Sequence, residues 1–99
     1  SQSSLLSHLF NQGVVSAQLL RDPQFRVLIR PKCPETHRHL FEGDFRSIDC
    51  NVVYAIITRA QGALSTILPF FSKQSLVNAA DILRDMGYGV LIKKIEINA

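Results

Sequence analysis

The chain has 99 residues and a mass of 11.1 kDa; 46% of it is hydrophobic and 19% charged, with only 5 Gly and 4 Pro, which is one domain's length and too apolar for a disordered or low-complexity segment. Eleven Lys and Arg against eight Asp and Glu give +3, a balance that tolerates anionic partners without requiring them. The apolar runs are short and broken by Arg59, Pro69, Lys73 or Lys93, which excludes a membrane span.

The opening Ser1-Gln2-Ser3-Ser4 carries neither Met nor a basic segment followed by an apolar one, and reads as an excised domain rather than a secretory precursor. Leu5, Leu6, Leu9 and Phe10 recur at helical spacing behind a Ser3/Ser4 cap, and Gly13 interrupts them. Val14, Val15, Ala17, Leu19 and Leu20 restart a short helix that Asp22-Pro23 closes. Phe25, Val27 and Ile29 then alternate with Arg26 and Arg30, the pattern of a half-buried strand that Pro31 ends. Residues 31–45, with two prolines, His37-Arg38-His39 and Gly43-Asp44, read as loop.

Ile48 to Ala60 fits two periods. Val52, Val53, Ile56, Ile57 and Ala60 form a helical stripe with Asp49 as N-cap, while Ile48, Cys50, Val52, Tyr54 and Ile56 alternate as in a strand. Its length and the Gln61-Gly62 terminator favour the helix. Leu64 to Leu68 reads as a short strand stopped by Pro69. Ser72 caps a helix whose Leu76, Ala79, Ala80, Leu83 and Met86 share one face, expected to be buried against the last strand. Gly87 occupies a left-handed C-cap position, with Tyr88 able to pack back on Leu83. Tyr88 to Ile97 is the last strand, with Leu91, Ile95 and Ile97 on one side and the partly solvated Lys94 and Glu96 on the other. The expected fold is α+β: a single small domain over 1–99, with an N-terminal helical segment and a small mixed sheet packed against two helices.

The text Asn51-Val52-Val53-Tyr54-Ala55-Ile56, then Gln61-Gly62, then Ser75 to Leu83, then Ile92-Lys93-Lys94-Ile95-Glu96-Ile97 resembles the Alba family of small nucleic-acid-binding proteins. The resemblance covers 49–97 and leaves 1–42 as an extension with a helix and a strand. It implies a helix, strand, helix, strand core that binds DNA or RNA, usually as a dimer. Two departures stand out. Ser47-Ile48-Asp49-Cys50 lies where the family carries a lysine pair, and Ser72-Lys73 lies where it carries its glycine, so cationic charge is lost before the first helix.

Cys33, His37, His39 and Cys50 are zinc-ligand types, but the C-x3-H-x-H-x10-C spacing lacks the paired ligands of a finger, so no metal is expected. Two cysteines suit a reducing, intracellular compartment better than a disulfide scaffold. Glycines too scattered for a phosphate loop, and acids and histidines with no local nucleophile signature, point away from an enzyme and from any cofactor. A helix-turn-helix over Leu5 to Leu20 would set Leu9 where a small residue belongs, and a double-stranded-RNA-binding reading of Ser72-Lys73 and Ala79-Ala80 lacks its basic run.

The remaining chemistry lies on two kinds of surface. Arg26, Arg30, Arg46 and Lys73 are the candidate nucleic-acid contacts, the last two placed ahead of helices whose N-termini attract phosphate. They give the leading expectation, a non-enzymatic, charge-driven, weakly sequence-specific nucleic-acid-binding module, with homodimer formation open. The alternative is a protein-interaction module or small adaptor that buries the Leu5/Leu9/Phe10 stripe or the Leu68-Pro69-Phe70-Phe71 corner. Exposed aromatics at 70 and 71 favour the second, and coplanar cations favour the first.

Overall fold

A computed structural model describes residues 2–97. Helix α1 spans Gln2–Leu20 and α2 spans Pro23–Ile29. Three short 3₁₀ turns (Arg30–Lys32, Glu35–Phe41 and Ser47–Asp49) lead to strand β1, Asn51–Thr58. One helical turn, α3 (Leu64–Ile67), precedes the long α4 (Phe70–Asp85), and β2 (Gly89–Glu96) closes the order. The two strands pair in parallel, Val53 beside Leu91 and Ile57 beside Ile95. The fold is α+β and predominantly helical, a small single domain.

The core forms where α1 and α4 pack on one face of this sheet. Phe10, Val14 and Ala17 from α1 meet Leu76, Ala79 and Leu83 from α4 over Tyr54 and Ile56 of β1, with Leu68 and Tyr88 closing the ends. The Leu76, Ala79, Ala80 and Leu83 stripe is buried as its spacing predicts and Met86 is half-buried, but α4 packs chiefly against α1 and only secondarily against β2. The C-terminus of α4 is the expected Schellman ending: the Tyr88 amide donates to the Leu83 carbonyl, the Gly87 amide to that of Arg84, and Gly87 sits at φ +96°. The Ser47 hydroxyl donates to the Met86 carbonyl at 2.6 Å, and a Cβ on Gly87 would lie 2.6 Å from that hydroxyl oxygen.

Several local expectations are corrected. Gly13 does not interrupt a helix: α1 runs through it, and Ser3 and Ser4 lie within the helix instead of capping it. The absent Cβ makes room for Tyr54, whose hydroxyl oxygen would otherwise sit 2.4 Å from it. With no turn there, the helix-turn-helix reading falls. Residues 25–30 are helix and its cap, not strand, because Asp22-Pro23 starts a helix: the Asp22 carboxylate accepts the Gln24 amide at 2.9 Å and Pro23 supplies the fixed φ of a first helical residue. Residues 51–58 are strand, not helix, since their β-branched residues find a parallel partner in β2. Residues 64–67 are a helical turn, not a strand, and Pro69, not Ser72, takes the N-cap position of α4. The first helix and first strand of the order that carried the Alba resemblance are therefore exchanged.

Two substitutions test this packing in denaturant titrations. Leu83, fully buried, should cost about 2–5 kcal/mol as Leu83→Ala. Gly13→Ala should destabilise, although Ala in an open mid-helix position stabilises by about 1 kcal/mol relative to Gly. A gain in stability would mean that Tyr54 does not pass that close to α1.

Candidate interaction surface

The end of α1 shows what the nearest cations do. A helix leaves its last four carbonyls without helical donors, and here each finds one. The Tyr88 hydroxyl donates to Ala17 O at 2.5 Å, the Arg21 amide to Gln18 O at 3.2 Å, the Asp22 amide to Leu19 O at 3.0 Å and an Arg26 guanidinium nitrogen to Leu20 O at 2.6 Å. Arg26 also stacks over the Phe45 ring, 4.9 Å from its centroid, and Phe45 in turn packs on Tyr88. Arg26 is thus a clamp that holds α1, α2 and the segment before β1 together.

Two of the other three candidate cations, Arg30 and Lys73, are held within the fold as well. Arg30 pairs with Glu42 across the 3₁₀ segment. Arg46 lies 3.8 Å from Asp49, with both side chains about two-thirds exposed, a geometry that contributes little. Lys73 donates to Ser65 O at 2.8 Å and walls an apolar groove with Leu64, Leu68, Leu76, Val77 and Ile92. Arg46 precedes a three-residue 3₁₀ turn and a strand instead of a helix N-terminus. Arg30, Arg46 and Lys73 line three different clefts, the first beside Arg38 and the second beside Arg21. Among the described residues no side-chain hydrogen bond or ion pair holds Arg21, Lys32, Arg59 or Lys93; Arg21 and Lys32 belong to the basic stretch 21–39, and none of the four was among the candidate contacts.

The apolar surface is arranged differently. Along β1, Val52, Tyr54, Ile56 and Thr58 turn toward the helices, and Val53, Ala55 and Ile57 turn away. Register aligns these with Leu91, Lys93 and Ile95 of β2. Val53 is 52% exposed, Ile57 62%, Leu91 53% and Ile95 38%, so four apolar side chains surround Lys93 on a face that no element among the described residues covers. The sequence pattern put Leu91 and Ile95 on the apolar side of β2 correctly, but that side faces out. The inward side takes Lys94, whose ammonium donates to Gly62 O at 2.7 Å and pairs with Glu96 at 2.9 Å. At the start of α4, Phe70 and Phe71 are 64% and 73% exposed and touch each other edge-on, 5.6 Å between centroids.

Cys33 and Cys50 are free thiols, both half-buried, and no group of three His, Cys, Asp or Glu among the described residues converges as a metal site would. No helix among the described residues is long and apolar enough to cross a membrane. Two buried tyrosine hydroxyls are shifted from their ordinary values, and both have structural partners. Burial raises the hydroxyl of Tyr54, which donates to Phe10 O at 2.7 Å. Burial also raises that of Tyr88, Cys50 adding to the effect while Arg21 and Arg26 oppose it.

Two outcomes follow. A Tyr pKa raised by folding means the anion is disfavoured in the native state, so stability is full below about pH 10 and declines as pH rises through the folded values. Urea midpoints taken from pH 8 upward should fall above pH 10, and less steeply in Tyr54→Phe. Arg26→Ala should cost about 1–3 kcal/mol through the unpaired Leu20 carbonyl, whereas Arg46→Ala should stay within about 0.5 kcal/mol of the parent. Equal effects would mean that Arg26 is no clamp.

No curated protein and no solved structure gives a significant match to the chain. A sequence profile for a family of unknown function, DUF6119, matches residues 1–96, and the chain belongs to that family.

Proposed function

We propose that this chain is a non-enzymatic protein-interaction module that docks through the outer face of its two-stranded sheet. The observation that carries the reading is the exposed apolar set Val53, Ile57, Leu91 and Ile95 on a parallel sheet. Parallel sheets are found covered on both faces, and here helices cover one. The exposed pair Phe70 and Phe71 supports the same class of function, being aromatic surface of the kind that interfaces concentrate. The charge-driven nucleic-acid reading draws less support, because Arg26, Arg30 and Lys73 already serve partners within the chain and Arg46 faces Asp49. The free thiols fit a reducing, intracellular setting.

Site-specific photocrosslinking tests this. A benzophenone side chain in place of Ile57 should yield a protein adduct in cells, and the same probe in place of the exposed Gln74 should not. Val53→Thr with Leu91→Thr should remove the adduct while leaving the fold intact. The reading fails if no adduct forms at position 57, or if the chain instead binds random oligonucleotides with steep salt dependence and loses that binding as Arg46→Ala with Lys73→Ala.

A further inference from the structure

Helix α1 is apolar on two sides. Its inward face, Phe10, Val14 and Ala17, belongs to the core. On its outward face Leu5 is 73% exposed, Leu9 39%, Val15 46% and Leu19 42%. At 100° per residue these four fall within one stripe about 120° wide, which His8, Gln12 and Ser16 share. Its 19 residues contain no Asp, Glu, Lys or Arg. A helix that is apolar on both sides belongs between two layers, and the described residues supply one.

The stripe is symmetric about its own middle. Leu5, Gln12 and Leu19 follow one another at seven-residue intervals, the seam spacing of paired helices, with Leu9 and Val15 three residues either side of Gln12. We infer that α1 is a self-association surface on which a second copy of this chain docks α1 antiparallel to α1, about a two-fold axis through Gln12. That arrangement brings Leu5 level with Leu19 of the second copy, Leu9 level with Val15, and His8 level with Ser16, so that the helix's one imidazole meets a hydroxyl and not its own copy. It sets the two Gln12 amides together at the axis, where a polar group on an apolar seam fixes register. The absence of charge on α1 lets two molecules of net charge +3 approach there without like charges meeting.

Area sets the strength. A helix of 19 residues is about 28 Å long and about 10 Å across, so a pair side by side buries roughly 600–900 Å² in total, short of the about 1,200 Å² of a stable interface. The dimer is therefore weak and governed by concentration. This surface lies on the helix layer, away from the open sheet face, and stands or falls independently of the docking function.

Sedimentation equilibrium of the full chain across the micromolar range tests it, with far-UV circular dichroism to confirm the fold. The parent should pass from monomer toward dimer as concentration rises. Leu5→Glu with Leu19→Glu should weaken association by about tenfold or more, whereas Leu5→Glu with Leu19→Lys should restore it to within about threefold of the parent, because opposite charges meet only in the antiparallel arrangement. Gln12→Glu, a change at an exposed position that leaves every core contact in place, should weaken association by bringing like charges together at the axis. The inference is overturned if the parent stays monomeric throughout, if the charge-swapped chain associates no better than the doubly acidic one, or if Gln12→Glu associates as the parent does.

Discussion

Parallel pairing of β1 with β2 is the constraint from which the rest of the molecule follows. Two parallel strands cannot be joined by a tight turn, so the chain between them must cross over the sheet. Here that crossing is the α3 turn and α4, tied down by two lysines: Lys94 holds Gly62 O and Lys73 holds Ser65 O. The crossover puts α4 on one face, and α1 packs beside it on that same face. Nothing among the described residues reaches the other face, which keeps the alternating apolar residues that a parallel strand carries on both sides.

Two tyrosines fix α1 in that layer. Tyr54 from β1 and Tyr88 from just before β2 bury their rings in the core and reach helix carbonyls about two turns apart, Phe10 O and Ala17 O. Each phenol thus contributes apolar area and a buried hydrogen bond at once. The consequence for function is indirect but decisive. With α1, Arg26 and Phe45 locked together, Arg26 is spent on structure, as Lys73 is at the start of α4, while leucine, valine, isoleucine and phenylalanine stand in the solvent. The surface chemistry this fold offers is apolar in patches, with charge spread between them.

What could be read from the sequence was what depends on near neighbours. The α4 stripe and the Gly87-Tyr88 ending need only residues within a few positions of each other, and both are present as spacing implies. Asp22-Pro23 is also local but has two meanings, helix stop and helix start; the Asp22 carboxylate bond to Gln24 decides for the second. Residues 51–58 could not be settled locally at all, since their partner β2 begins 31 residues beyond their end and β-branched residues satisfy both periods. Gly13 reads as a break until Tyr54, 41 positions away, is seen to occupy the space a Cβ would need. The candidate cations were legible as positive charge, but apart from Asp49, three residues from Arg46, their partners were not, being set by how the elements pack.

The claim on which this account rests is that the outer sheet face is open in the free chain. Methyl-resolved NMR with a soluble nitroxide measures that directly, because relaxation enhancement reports the approach of the probe to each methyl. The methyls of Val53, Ile57, Leu91 and Ile95 should broaden strongly, and those of Ile56, Leu76 and Leu83, buried under the helices, should remain sharp. If the four sheet-face residues are instead as protected as Leu83, that face is already covered and the account is contradicted.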